Sequence, residues 1–188
     1  MAAETELKPT KDPRLAWWTL AALLAITVMF AFVIVPLMRP KRRDMNVGRP
    51  APDFSLEVIH GGDPGNRIRL STLRGKAVLL DFWASWCAPC RVQMPIVERM
   101  TKKFGDRDLV VVGIDTSDSR SDATEFLQAR APAYPSLFDE GGFVAKAYEV
   151  TAIPVVVVVD REGVISAVRR SIVPEPELEQ LIRDALGS

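Results

Sequence analysis

Five consecutive valines, Val155–Val159, restrict most strongly what this 188-residue chain can fold into. Valine favours extended backbone, and a strand without polar alternation is buried on both of its faces. The runs Ala77–Trp83 and 109–114 have the same character. A sheet buried on both sides needs helices on both sides. The chain is therefore predicted to be an α/β protein with a mixed central sheet.

The other segments supply the helices and the shorter strands of this fold. Residues 54–58 alternate apolar and polar side chains, and the glycine-rich turn 60–66 leads into a returning strand at 68–70. Together they predict an N-terminal β-hairpin. Short strands are predicted at 136–138 and 164–168. Helices are predicted at 92–100, at 122–130 (opened by Asp122 with Glu125 three residues later), near 143–148 and at 178–186.

Residues 15–38 contain no charged side chain. A helix needs about 20 apolar residues to cross a bilayer, and Trp17 and Trp18 stand at one end, where indoles favour the interface. The alternative, a cleaved signal peptide, has a shorter apolar region and a small-residue cleavage site. We therefore expect a tail at 1–14, an uncleaved transmembrane anchor in the lipid bilayer at 15–38, a basic tether at 39–46 and a folded domain at 47–188.

The basic residues around this anchor leave its orientation open. Three precede it and five follow it closely, the latter being Arg39, Lys41, Arg42, Arg43 and Arg49. Counted literally, this distribution places the large domain in the cytoplasm. The rule applies to short loops, however, and long domains translocate largely regardless of charge. Both orientations are kept as hypotheses.

The only two cysteines, Cys87 and Cys90, stand between a predicted buried strand and a predicted helix, in the sequence WCAPC. Unpaired amides and the dipole at a helix N-terminus stabilise an anion, which lowers the pKa of a thiol placed there. Pro89 suits the first helical turn, where its missing N–H costs nothing. We predict that Cys87 attacks a disulfide of a partner protein and that Cys90 resolves the mixed disulfide.

Other uses of the cysteine pair fit the sequence less well. A zinc site needs about four ligands, and the only histidine, His60, lies in the glycine-rich turn. Haem attachment needs histidine directly after the second cysteine, where Arg91 stands. With 24 basic and 24 acidic side chains, the chain is not expected to bind nucleic acid. No metal and no cofactor is predicted; a non-enzymatic module that handles metal or haem is the alternative from another class.

Asp81, inside an apolar strand, and Pro154, before the valines, are the other candidate site residues. A carboxylate buried without a partner has a raised pKa and can exchange protons with the second cysteine. The alternative is an ion pair with Lys76 or Lys103. Pro154 is either an ordinary proline at the start of a strand or part of a cis Ile153–Pro154 bond that exposes backbone to a partner, and both remain open at this point.

The segment FWASWCAPC at 82–90, with Asp81 before it, resembles the thioredoxin active-site signature. The motifs at 51–54 (APDF), 73–76 (LRGK) and 160–163 (DREG) are similar to those of the membrane-anchored TlpA/ResA/CcmG type, a branch related to peroxiredoxins. The resemblance covers about residues 47–186 and implies a thioredoxin fold with a cis proline at Pro154 beside the cysteines. The predicted substrate-binding residues are Trp86, Ala88, Pro89, Ile153 and Pro154.

The same resemblance implies a location and partners. Proteins of this type are single-pass proteins of the bacterial cytoplasmic (inner) membrane with the redox domain in the periplasm. They reduce disulfides there, often those of apocytochrome c or its chaperones before haem attachment. A membrane thiol carrier of the DsbD/CcdA type returns them to the dithiol state. A cytoplasm-facing, tethered thioredoxin is the alternative that the basic residues 39–43 suit.

Two positions depart from the family pattern. ResA and CcmG relatives usually carry Glu three residues after the second cysteine and Asn at the strand position, whereas this chain has Gln93 and Asp81. Because an amide cannot titrate, proton exchange near Cys90 has to use Asp81, water or the thiols themselves, and our hypothesis is that Asp81 accepts the Cys90 proton. The Thr- and Pro-rich peroxidatic motif of peroxiredoxins is absent from SWCAPC, which favours disulfide exchange over peroxide reduction.

Overall fold

The computed structural model describes residues 13–34, 46–63, 65–105 and 108–187. The chain forms two units, residues 1–43 and 44–188. In the first, helix α1 (Pro13–Met29) continues into a short π-helical segment, Phe30–Ile34. No helix within the described ranges combines the length and apolarity that a membrane crossing requires. The predicted anchor at 15–38 stays a prediction, and its residues 35–38, like most of the predicted tail and tether, lie outside the described residues.

The second unit is built on one seven-stranded sheet in the order β2-β1-β5-β4-β3-β6-β7. Its strands are β1 (Ser55–His60), β2 (Arg67–Arg69), β3 (Ala77–Trp83), β4 (Leu109–Asp115), β5 (Ser136–Phe138), β6 (Val155–Val159) and β7 (Ile165–Arg169). Strands β3, β4 and β5 are mutually parallel neighbours, and the other pairs are antiparallel. The predicted mixed sheet and N-terminal hairpin are therefore confirmed.

In the described residues, four α-helices accompany this sheet: α2 (Ala88–Phe104), α3 (Arg120–Arg130), α4 (Phe143–Ala147) and α5 (Glu175–Leu186). Val78, Leu80 and Phe82 of β3 pack in a cluster that contains Val144 and Ala145 of α4. Ala77 and Leu79, on the other face of β3, pack with side chains of α2 and α5, namely Val97, Met100, Phe104, Leu178, Ile182 and Ala185. Burial on both faces explains why β3 and β6 carry almost unbroken apolar runs.

Two helices begin earlier than the sequence indicated. Helix α3 begins at Arg120 rather than at Asp122, because the Ser119 hydroxyl caps it by accepting the Asp122 N–H and donating to the Asp122 carboxylate. Helix α5 begins at Glu175, three residues before the first apolar residue of the predicted helix. Both first turns are polar, so apolar periodicity does not reveal them.

Both edges of the sheet are occupied or short. At one edge, β2 has only three residues and carries Arg67 and Arg69. At the other, residues 48–51 lie along the start of β7: Gly48 N–H donates to the Ile165 carbonyl at 2.8 Å, and Ile165 N–H donates to the Arg49 carbonyl at 2.9 Å. The same segment pairs with Val164 through Pro50.

Candidate active site

Cys87 is the N-cap residue of α2, and Cys90 lies in its first turn. The two form a disulfide with 5.3 Å between their Cα atoms. The Cys90 N–H donates to Cys87 Sγ at 3.2 Å. Pro89 occupies the first turn, as predicted, where no helical N–H is lost. A helix amide therefore points at the sulfur that was expected to be the nucleophile.

The surface around the disulfide is formed by its neighbours in the chain. Both cysteines are buried, with 3% of Cys87 and 1% of Cys90 exposed, whereas Trp86 is 62% exposed. Ala88 and Pro89 are exposed as well. The difference in exposure between the two cysteines is small. A partner would meet Trp86, Ala88 and Pro89 before it meets either sulfur.

The loop before Cys87 is fixed by contacts that the sequence did not predict. Asp118, after β4, accepts hydrogen bonds from both the backbone N–H and the hydroxyl of Ser85. The Arg91 guanidinium donates to the Ser85 carbonyl at 2.8 Å. The Trp86 indole N–H donates to the Ser117 carbonyl at 3.4 Å. These bonds position the segment that carries Trp86 and the first cysteine.

The Ile153–Pro154 peptide bond is cis, as the resemblance implied. Pro154 directly precedes β6, where Val155 pairs with Phe82, which places the proline beside the end of β3. Ile153 packs against the cluster that contains Trp83, Cys87 and Cys90. The structure thus brings all the predicted substrate-binding residues to one end of the sheet.

A groove of about 700 Å³ includes Trp86 and Ile153 in its lining. It runs from Trp86 to Ile153 and is lined in between by residues that follow β4 and by residues of and after α4, among them Thr116, Lys146 and Thr151. The groove therefore adjoins two of the residues that were predicted to bind substrate.

Asp81 is buried on β3, with 1% of the residue exposed. Burial raises its pKa to about 7, against a smaller lowering by the hydrogen bond from Tyr134. Within the described residues it forms no ion pair, and Lys103 instead binds Glu179 at 2.7 Å. The predicted rise of the pKa is confirmed, and the alternative of an ion pair with Lys76 or Lys103 is not seen in the described part of the chain.

Gln93 is fully buried in α2. Its Oε1 accepts the Val173 N–H at 2.7 Å, which ties α2 to the segment before α5. Gln93 therefore stabilises the packing of α2, a role that is independent of proton transfer.

Asp115, at the end of β4, is a second buried carboxyl that the sequence did not single out. Burial, together with the nearby Asp118 and Asp139, raises its pKa to about 9. The group is therefore neutral at pH 7. In the described residues, no cluster of three or more metal-ligating side chains is present.

Gly113 of β4 occupies a crowded position between β3 and β5. A Cβ atom there would lie 2.9 Å from Ser136 Oγ, 3.0 Å from Trp83 Nε1 and 3.1 Å from Tyr134 Cε2. We expect Gly113→Ala to lower the free energy of unfolding by about 1–3 kcal/mol, because buried neighbours have to move. Urea denaturation measures the change. Gly62→Ala is the control, since its new Cβ would meet only the tip of Val58; equal stabilities of the two variants would show that the neighbours of Gly113 relax freely.

Comparison with known proteins points to one family. The sequence profile of the AhpC/TSA family matches residues 47–168. The thioredoxin-like protein YneN of Bacillus subtilis is 36% identical over 135 residues, which is 71% of this chain and 76% of YneN. The thiol-disulfide oxidoreductase ResA of Oceanobacillus iheyensis is 26% identical over 162 residues, covering 86% of this chain and 84% of ResA. A protein from Chlorobium tepidum, solved as a candidate thiol:disulfide interchange protein DsbE, superposes with a TM-score of 0.67 at 33% identity, covering 77% of this chain and 99% of that one.

Proposed function

Because this chain belongs to the AhpC/TSA family and is a thioredoxin-like thiol-disulfide oxidoreductase of the TlpA/ResA/CcmG type, we propose that it is a membrane-anchored reductase of disulfides in exported proteins. The observation that carries the chemistry is the Cys90 N–H aimed at Cys87 Sγ at the N-terminus of α2. The same amide and the helix dipole stabilise a thiolate on Cys87 once the disulfide is opened.

The reaction follows from this geometry in two exchanges. The Cys87 thiolate attacks a substrate disulfide, forms a mixed disulfide, and releases one substrate sulfur as a thiolate that takes a proton. Cys90 then loses its proton and attacks Cys87 Sγ, which releases the second substrate thiol and leaves the Cys87–Cys90 disulfide. The substrate has gained two electrons and two protons, and the chain has lost them.

Asp81 is the group that we propose accepts the Cys90 proton. It lies on the same face of β3 as Trp83, which belongs to the same core cluster as both cysteines. A pKa of about 7 lets it hold a proton or release it near neutral pH. The alternative acceptor position on α2 is taken by Gln93, which cannot titrate.

The proposed docking surface consists of exposed Trp86, Ala88 and Pro89 together with the backbone at Ile153 and Pro154. No backbone hydrogen bond in the described residues engages Ile153, so its amide and carbonyl are available to an extended polypeptide.

Apocytochrome c and its chaperones are the substrate class that the family resemblance implies. A membrane thiol carrier of the DsbD/CcdA type would return the chain to its dithiol state.

The proposal of an anchor at 15–38 with the domain in the periplasm has separate support. The uncharged stretch exceeds the length that a bilayer requires, and Trp17 and Trp18 stand at its border. The five basic residues after the stretch favour the opposite orientation, which makes topology the point to test.

Alkaline phosphatase fused after the last residue is expected to be active in cells, and green fluorescent protein fused there is expected to be dark, because the domain is exported. Leu23→Arg with Leu24→Arg is the matched control: each charge at the centre of a spanning helix costs about 2.5–3.5 kcal/mol, so the fusion should lose phosphatase activity. A fluorescent fusion with inactive phosphatase would contradict export and support a tethered cytoplasmic thioredoxin.

A further inference from the structure

Tyr134 reaches the buried carboxyl of Asp81 from the opposite side of a strand. It lies in the loop between α3 and β5, and its hydroxyl donates to Asp81 Oδ2 at 2.9 Å. Asp81 on β3 pairs in register with Gly113 on β4, which pairs with Ser136 on β5. The tyrosine ring therefore crosses β4 above Gly113, where Cε2 lies 3.1 Å from the position of a Cβ. The ring can cross β4 here because Gly113 has no side chain.

The loop that carries Tyr134 is fixed. The Pro135 carbonyl accepts the Gly113 N–H at 2.8 Å, which holds the residue after the tyrosine against β4. Tyr134 is 2% exposed and belongs to the core cluster that contains Ala77 and Leu79 of β3. Its hydroxyl thus meets Asp81 in one geometry, and the bond is not a surface contact that water can replace.

This hydrogen bond makes the two carboxyl oxygens of Asp81 different. Oδ2 accepts a hydrogen bond from the Tyr134 hydroxyl, whereas Oδ1 has no hydrogen-bond partner among the residues that the structure describes. Burial beside Asp81 raises the pKa of Tyr134 well above its usual value, so the phenol stays a donor at any working pH. A proton that arrives at Asp81 is therefore received by Oδ1 while Oδ2 stays bound.

The charged groups around this pair are few. From α2, Glu98 faces Tyr134, and from α3 Arg130 does so; the two form an ion pair at 3.2 Å that leaves little net charge near the ring. From β4 and β6, the register neighbours of Asp81 are Gly113 and Val156, which carry no charge. The hydroxyl of Tyr134 is thus the polar group by which the protein favours the ionised carboxylate.

We propose that Tyr134 is a positioning residue for the reductase: it holds Oδ2 of Asp81, stabilises the carboxylate and leaves Oδ1 to take the proton of Cys90 when the mixed disulfide is resolved. In this step the Cys90 S–H bond breaks, its proton moves to Oδ1, and its electron pair forms the bond to Cys87 Sγ. The bond between Cys87 Sγ and the substrate sulfur breaks at the same time, and the substrate leaves as a thiolate that takes a proton from water. The inference rests on the proposed role of Asp81.

Tyr134→Phe tests this with almost no change in volume. Loss of a hydrogen bond to a charged group raises the pKa of Asp81 by about 1–2 units, so the rate of insulin reduction at pH 7 falls about tenfold and recovers towards wild type near pH 9. The pKa is measured directly from the ¹³C carboxyl resonance of Asp81 in the full chain, assigned by its absence in Asp81→Asn.

Tyr148→Phe is the matched control. Tyr148 is the other tyrosine of the chain, is equally buried, and donates to the Pro52 carbonyl at 2.8 Å from the opposite face of the sheet. Its loss lowers stability by a similar amount but should leave the Asp81 pKa and the pH profile unchanged. A second test is additivity: adding Tyr134→Phe to Asp81→Asn should cause no further loss of rate, because the tyrosine acts through the carboxyl.

Three results overturn the inference: an Asp81 resonance that titrates at the wild-type pH in Tyr134→Phe, an equal shift in Tyr148→Phe, or a further rate loss in the double variant. Failure of the proposed function has a different signature, since wild-type protein would then reduce no insulin disulfide at any pH. If Tyr134→Phe folds poorly, the resonance of Asp81 in its remaining folded fraction still gives the pKa.

Discussion

Cys90→Ala is expected to accumulate as a covalent complex with its substrate, and Cys87→Ala is expected to form none. Cys87 is the sulfur that receives the helix N–H, so its thiolate attacks; without Cys90 the mixed disulfide has no internal thiol to resolve it. Insulin reduction should fall by more than about a thousandfold in either variant, because the two thiols act as one unit. Non-reducing gels of cell extracts reveal the complex, and mass spectrometry identifies its partner.

Alkylation of the reduced wild-type chain checks the same assignment independently. Only a thiolate reacts quickly with iodoacetamide, so Cys87 should be modified first at neutral pH. Faster modification of Cys90, or a stable mixed disulfide in Cys87→Ala, would reverse the roles of the two cysteines.

Asp81→Asn should make the protein both slower and more stable. The amide cannot accept the Cys90 proton, so one ionisation near pH 7 disappears from the pH–rate profile. The pKa of Asp81 is raised on folding, so the native state binds more protons than the unfolded state between about pH 4 and pH 7, and the free energy of unfolding falls as pH rises through this range. The asparagine side chain does not titrate, so the free energy of unfolding of Asp81→Asn does not fall in this way. The variant should be more stable than wild type by at most about 4 kcal/mol above pH 7, and the difference should vanish near pH 4.

Urea denaturation of the oxidised chain at several pH values measures this difference, and the contribution of Asp115 cancels because both proteins contain it. Gln93→Ala is the control variant. It leaves the buried Val173 N–H without its acceptor and should cost about 1–3 kcal/mol at every pH, with the shape of the pH–rate profile retained. A rate and pH profile unaffected by Asp81→Asn, together with a faster Gln93→Glu variant, would show that the strand carboxylate has no part in proton transfer.

The order of elements could be predicted because each buried strand reveals itself locally. Val155–Val159 and Ala77–Trp83 are apolar without alternation, and the structure covers both of their faces with helices or the N-terminal hairpin segment. The starts of two helices were not predicted correctly: the first turns of α3 and α5 are polar, and α3 begins at the Ser119 cap rather than at an apolar residue.

The site was predictable where its residues are neighbours in the chain, and not elsewhere. The WCAPC segment places both cysteines by itself, and the burial of Asp81 follows from the apolar residues beside it. Tyr134 is 53 positions from Asp81 and Asp118 is 33 from Ser85, so their contacts depend on strand register and on the path over Gly113. A single sequence contains no pattern that joins such distant residues.

The edges of the sheet decide whether another polypeptide can add a strand to this domain. A bare edge strand is a template on which another chain can add a strand and begin to aggregate. Here β2 ends after three residues with arginines on it, and residues 48–51 shield the start of β7. For the reductase that we propose, whose substrates are extended, incompletely folded polypeptides, this arrangement hinders the addition of a substrate strand to the enzyme's own sheet. The proposed docking surface, at the end of the sheet that carries the cysteines, is then the place where such a polypeptide would bind.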